Sequence, residues 1–174
     1  MKKEILAWIR DIIIAALIAL IILALFKPII IQQHSMEPNF YSGDYVIAFK
    51  QAYKISGTPE RGDVIVFHSH LKDSKGNDKN LIKRVIATGG ETVEIRGGYV
   101  YVNGEMLEED YVLEPGTSGE MEKTVVPEGF LFCCGDNRAV SVDSRKEEVG
   151  FVDQKDIIDS SMKSGQIPVQ RAPE

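Results

Sequence analysis

From Ile12 to Ile31 the chain reads IIIAALIALIILALFKPIII, apolar except for Lys27 and Pro28 near its far end. As a helix rising about 1.5 Å per residue, this run covers about 30 Å, the thickness of one hydrocarbon core. A helix packed on a soluble core keeps a polar face, and none occurs here before Lys27. A cleavable leader fits less well, because the run exceeds the usual ~7–15 residues and ends in Lys27-Pro28 without a small-x-small site. Segment 12–31 is therefore expected to be a retained transmembrane anchor. Lys2, Lys3 and Arg10 precede it. By the positive-inside tendency, the short N-terminus 1–11 is cytoplasmic and everything after Ile31 lies across the membrane.

The residues beyond the anchor suffice for one domain with a core of its own. With 20 basic against 26 acidic residues and a net charge of −6, the chain has no basic footprint, which argues against nucleic acid as a partner. Short β-rich runs recur at Asp44–Phe49, Asp63–His68, Leu81–Ala87, Thr92–Ile95, Tyr99–Val102 and Phe130–Cys134. Gly97-Gly98 and Asn103-Gly104 supply the positive φ that tight hairpin turns need. Segment 32–164 is thus expected to be a mostly β domain, with polar loops at 72–80 and 108–123, and 165–174 is expected to fray. Cys133 and Cys134 are adjacent, would close a strained ring if bonded, and read as a buried pair on a strand.

Ser35 follows the anchor closely, in Gln33-His34-Ser35-Met36-Glu37-Pro38, so its hydroxyl is expected near the outer membrane surface. In Leu81–Ala87, strand alternation puts Lys83 on one face with Leu81, Val85 and Ala87, and Ile82, Arg84 and Ile86 on the other. A lysine among apolar neighbours either snorkels to water or is desolvated, and desolvation lowers its pKa. A neutral amine beside a serine hydroxyl is the Ser-Lys form of nucleophile activation. Gly135 to Arg145 concentrates acids, arginines, serines and an asparagine directly after an apolar run, as a fixed hydrogen-bonded turn does. Within it Arg145 has either Asp143 or Asp136 as a charge-assisted partner.

Ser35-Met36-x-Pro38, Lys83-Arg84-Val85-Ile86 and Gly135-Asp136-Asn137-Arg138, followed by Ser141-x-Asp143-Ser144-Arg145, resemble the successive sequence boxes of bacterial type I signal peptidases. Gly43-Asp44, Gly62-Asp63-Val64-Ile65-Val66-Phe67, Asn103-Gly104 and Pro127-Glu128-Gly129 are similar too, so the match runs from the anchor to about Val152. The resemblance implies a β-rich catalytic domain held by a single-pass anchor in the bacterial cell membrane. It implies Ser35 as acylated nucleophile, Lys83 as general base, and Ser141 as hydroxyl partner of the lysine. It further implies Asp143 and Arg145 as a supporting ion pair, with Asp136 helping to shape the site. Its substrates are exported preproteins, bound as an extended strand with small residues at the first and third positions before the cut. The Met36 side chain and apolar residues near Ile82 are the expected pocket walls, and no metal or organic cofactor is called for. Three departures stand out: Asn39 after Pro38, Ala87-Thr88-Gly89-Gly90-Glu91 in place of a Pro-Gly-Asp-like turn, and Gln33 where the family usually has a serine or glycine of the oxyanion hole.

Other readings compete. A membrane-tethered assembly factor that holds exported subunits such as pilins needs the same anchor but no dyad. A peptidase dedicated to a narrow substrate set suits the three departures. His34 adjoins the nucleophile, yet neighbours on an extended chain point to opposite sides. His68 and His70 share a strand face without a third metal ligand in sight. Arg61-Gly62-Asp63, an adhesion-like tripeptide, reads as a turn into a strand.

Overall fold

The computed structural model describes residues 2–49, 57–73, 76–114 and 116–162, so the tail 165–174 lies outside the described residues. Helix α1 spans Lys2–Leu25. Its Glu4–Leu25 stretch is long and apolar enough to cross a membrane, and 0% of it is buried against the rest of the chain. The helix thus starts earlier and stops sooner than the 12–31 segment. Proline cannot continue a helix and pushes the residue before it toward extended backbone, so Lys27-Pro28 turns the end of the apolar run into strand β1, Phe26–Ile30. β1 pairs antiparallel with β2, Tyr45–Phe49, from Phe26↔Phe49 to Ile30↔Tyr45. Its apolarity serves two faces: Ile29 packs on the cluster of Ile31, Met36, Phe40 and Val46, while Phe26 and Ile30 are exposed.

The other strands are β3 (Val64–Lys72), β4 (Asp78–Thr88), β5 (Thr92–Arg96), β6 (Tyr99–Val102), β7 (Glu105–Met106), β8 (Met121–Val125), β9 (Phe130–Cys134), β10 (Val152–Asp153) and β11 (Ile157–Met162). They form a seven-stranded sheet in the order β1-β2-β11-β3-β4-β9-β10 and a four-stranded sheet in the order β7-β6-β5-β8. The chain is therefore mostly β behind one apolar helix. The polar stretch 72–80 is largely consumed by β3 and β4, which extend their hairpin to Lys72↔Asp78. Strand β8 lies in and beyond the stretch expected as loop. It is a charged edge strand, exposed at Glu122 to Val125, and such charges guard an open edge while hiding the strand from a hydrophobic pattern.

Strand β4 sits inside the larger sheet, pairing with β3 at Ile65↔Lys83 and with β9 at Arg84↔Cys134 and Val85↔Cys133. Both of its faces are covered, so it is buried without interruption from Leu81 to Ala87. Leu81 and Val85 pack with Ile65, Phe67 and Leu131, as alternation requires. A register shift between Val85 and Ala87 breaks the alternation, and Ile86 and Ala87 both join the cluster of Val93, Val100 and Phe132. Ala87 thus departs from the Lys83 face on which the period of two placed it. The β6–β7 turn is made by Asn103 and Gly104 at φ 55° and 85°, the geometry of a two-residue type I′ hairpin. Cys133 and Cys134 are free and buried on β9. Burial pushes both thiols above their usual range and keeps them protonated, hence unreactive.

Candidate active site

Between β1 and β2 the chain makes a compact double turn that carries Ser35. Asn39 N–H and Phe40 N–H both donate to the Met36 carbonyl at 3.0 Å, and Gly43 N–H closes back onto the Ile31 carbonyl at 2.7 Å. Met36 and Phe40 anchor the turn from below, in the cluster with Ile31, Val64 and Ile82. This corrects the pocket expected at Met36: its side chain is 0% exposed and has no surface to offer a ligand. The residue is apolar because it pins the serine's turn to the core. Ile82 lines a groove of about 410 Å³ between residues 27–33 and the start of β4. An adjoining cleft of about 600 Å³ contains Ser35 together with Gln33, Leu81, Asn137 and Val142.

Lys83 reaches Ser35 from β4. Its Nζ donates to Ser35 Oγ at 2.7 Å and to the Ile82 carbonyl at 2.8 Å. Only 1% of the residue is exposed. Burial lowers its pKa from 10.5 to about 8, against the negative charges of Asp143 and Asp136, which favour the ammonium.

The loop after β9 is tied at nearly every polar group. Asp143 accepts Arg145 Nε at 2.8 Å, Arg145 Nη2 at 2.9 Å and the Gly135 N–H at 2.9 Å. Burial alone would raise the Asp143 carboxyl, but Arg145 holds it below the usual carboxylate range. Of the two acids open to Arg145, the fold thus selects Asp143. Asp136 goes to Arg84 instead, through Nε at 2.8 Å and Nη2 at 2.7 Å, with Asn39 Nδ2 donating to it at 2.8 Å. Both members of the Arg84–Asp136 pair are almost wholly buried. Asn137 N–H donates to the Ser35 carbonyl at 3.1 Å. A Cβ on Gly135 would lie 2.4 Å from that carbonyl and 2.3 Å from Ser141 Oγ, so this position has room only for glycine. Ser141 Oγ is buried on the same loop, and no hydrogen bond joins it to Lys83.

Arg84 and Arg138 were given no role from the sequence, and Asn39 was noted only as a departure after Pro38. Arg84 carried a signal, since an arginine between Ile82 and Ile86 on a strand face must find a buried acid. His34 lines the same cleft, with its Nδ1 hydrogen-bonded to Glu37 Oε1 at 2.7 Å, while Lys83 is the side chain that contacts Ser35 Oγ. His68 and His70 are exposed on β3, and among the described residues no group of three His, Cys, Asp or Glu side chains could hold a metal ion. Arg61-Gly62-Asp63 is a turn into β3, whose Gly62 carbonyl accepts Arg84 Nη1 at 2.9 Å.

The family model described as "Signal peptidase, peptidase S26" matches residues 5–163. "Signal peptidase I" of Bacillus licheniformis is 32% identical over 172 residues, covering 92% of this chain and 88% of that protein. "Probable signal peptidase I-1" of Synechocystis sp. is 40% identical over 148 residues, covering 82% of this chain and 74% of that protein. A crystal structure of a signal peptidase I from Enterococcus faecalis V583 is 33% identical, with a TM-score of 0.49, and covers 60% of this chain and 97% of that one. Matched along nearly its whole length by the family model, and by relatives above 30% identity over most of both chains, this chain belongs to the S26 family of signal peptidases.

Proposed function

We propose that the chain is a type I signal peptidase, a serine endopeptidase that removes N-terminal signal peptides from exported preproteins, with Ser35 as nucleophile and Lys83 as general base. The observation that carries this reading is the 2.7 Å contact between Lys83 Nζ and Ser35 Oγ, buried and lying beside an open cleft. As ammonium, Lys83 donates in that contact. Once neutral, it accepts the serine proton while Ser35 Oγ attacks the scissile carbonyl carbon. The proton then passes to the leaving amine, and water, deprotonated by Lys83, hydrolyses the acyl-enzyme.

The developing oxyanion needs donors. Ser35 N–H makes no hydrogen bond to the protein among the described residues, which leaves it free to donate. Gln33 lines the same cleft, and its carboxamide is the second donor this chain offers in place of the family's serine or glycine. Asp143, Arg145 and Asp136 act in this reading by holding the loop, and Ser141 is the hydroxyl partner that the loop offers to Lys83. Ile82, Leu81 and Val66 offer apolar walls for small side chains in the groove beside β4.

The helix anchors the chain in a bilayer with its N-terminus cytoplasmic, by the positive charge of Lys2, Lys3 and Arg10, and the β domain across the membrane. A preprotein's own apolar segment would lie in that same bilayer. An assembly-factor role is not favoured by relatives that are signal peptidases. The test is cleavage in detergent of a preprotein reporter with an Ala-x-Ala site, by the wild type, Ser35→Ala and Lys83→Ala. Loss of cleavage in both variants supports the dyad, and equal cleavage by all three sinks it.

A further inference from the structure

Between strands β7 and β8 the chain makes an excursion that reaches Arg84 and the loop after β9. Its ends are held in the small sheet, Leu107 N–H on the Val100 carbonyl and Thr117 N–H on the Gly98 carbonyl, each at 2.8 Å. Its middle is fastened to the loop after β9. Glu109 forms an ion pair with Arg138, through Nη1 at 3.1 Å and a short contact from Nη2, and only 11% of the Glu109 side chain is exposed. Tyr111 Oη donates to the same carboxylate at 2.8 Å. The Tyr111 ring lies under the Arg84 guanidinium, 4.2 Å from its centre, and the Tyr111 carbonyl accepts Asn39 Nδ2 at 2.6 Å.

These contacts converge on one short path. Arg84 holds Asp136, and Glu109 holds Arg138. Between those two residues lies Asn137, whose N–H holds the Ser35 carbonyl. Both neighbours of the residue that grips the nucleophile's backbone are therefore fastened by charged groups that the excursion packs or pairs. A guanidinium as buried as Arg138 or Arg84 stays in one place only while its partners do. We infer that Glu109 and Tyr111 are positioning residues for the peptidase reaction, and that segment 107–114 is a strap setting Ser35 against Lys83 through Asp136, Asn137 and Arg138. The inference rests on the dyad reading above. The strap touches neither Ser35 nor Lys83 directly, so its loss should loosen geometry and let water toward Lys83 without removing a reacting group.

The test is steady-state cleavage of the Ala-x-Ala reporter by the full chain in detergent across pH, with active enzyme counted from the burst of released product. Displacing a reacting group by about 1 Å costs up to about 100-fold in rate. Glu109→Gln and Tyr111→Leu are expected to lower kcat per active enzyme between about 10- and 100-fold while KM changes far less. They are also expected to move the acid limb of the profile above its wild-type position, as Lys83 regains water. Tyr111→Phe, which keeps the ring under Arg84, should recover most of the loss. Tyr101→Leu is the control, because Arg96 stacks on Tyr101 at 4.0 Å in the small sheet, away from the cleft. It should leave kcat and the limb in place. A merely structural role would reduce the active fraction without moving the limb. Wild-type kcat and an unmoved limb in Glu109→Gln and Tyr111→Leu would overturn the inference. Should Glu109→Gln not fold, Tyr111→Leu decides, and Thr117→Val, which removes one Arg138 acceptor, decides if neither folds. Wild-type cleavage by Ser35→Ala and Lys83→Ala would instead overturn the dyad, a separate failure visible in the same assay.

Discussion

Lys83 is a cation surrounded by apolar strand residues, and its cost is felt as pH dependence. Its pKa falls from 10.5 to about 8 because burial disfavours the ammonium. In the proposed dyad the base is the neutral amine, so kcat/KM should rise tenfold per pH unit below about 8 and level off above it. A pH–rate profile on a short Ala-x-Ala peptide checks this, and a limb near 10 would mean that water reaches the amine. Stability follows the same sign. Between about 8 and 10.5 the unfolded chain holds a proton on Lys83 that the folded chain has released, so this residue's contribution to stability rises with pH through that window. Below pH 8 its full penalty, about 3 kcal/mol by the size of the shift, is present. At this scale the sequence singled out Ser35 and Lys83, which the fold brings into contact, and the acids of the loop. It left open which arginine takes which acid, because Arg84 is distant in sequence from Asp136 and only the pairing of β4 with β9 brings them together.

At the scale of elements, the informative strand is β1. A sliding view of apolarity merges Phe26–Ile31 with the helix before it, since lipid and protein core select the same side chains. Pro28 is the local sign that separates them. The two faces of this segment should respond differently to substitution. Ile31 is 3% exposed and packs beneath the serine's turn with Met36 and Phe40. Ile31→Ala is expected to cost about 2–5 kcal/mol, as other large-to-small changes in cores do. Ile30, on the outer face and 50% exposed, should tolerate Ile30→Ser within about 0.5 kcal/mol in detergent. Denaturant midpoints at unchanged m-value measure both. Equal costs would mean that β1 does not divide core from exterior. Strands β8 and β11 escaped sequence reading for a related reason: β8 is charged at an edge, and β11 takes its place between β2 and β3 by long-range pairing.

For the whole molecule, the helix and the β domain are energetically separate. The spanning stretch Glu4–Leu25 buries nothing against the domain, and β1 is held by β2 rather than by the helix. A chain lacking residues 2–25 should therefore unfold with a Tm within a few degrees of the full chain, since a shift of about 1 kcal/mol moves Tm by roughly 2–8 °C for domains of this size class. It should cut a short soluble peptide at nearly the full rate and a bilayer-embedded preprotein far more slowly. Calorimetry with paired peptide and proteoliposome assays reads both, and a collapse of Tm on truncation would show that the helix belongs to the fold.

The sequence by itself determined the apolar helix, the core strands from β2 to β6 and β9, the glycine-bearing turns, and the serine, lysine and acidic loop. Each of these is written in local period, local turn chemistry or a short motif. Only the tertiary structure decided that Ser35 and Lys83, 48 residues apart, meet at 2.7 Å. It also decided that Met36 is core rather than pocket, and that a polar excursion reaches across to clamp Arg84 and Arg138. The reason is physical: strand order, register and burial arise from pairings between distant segments, whereas a local pattern records only what each segment can bury.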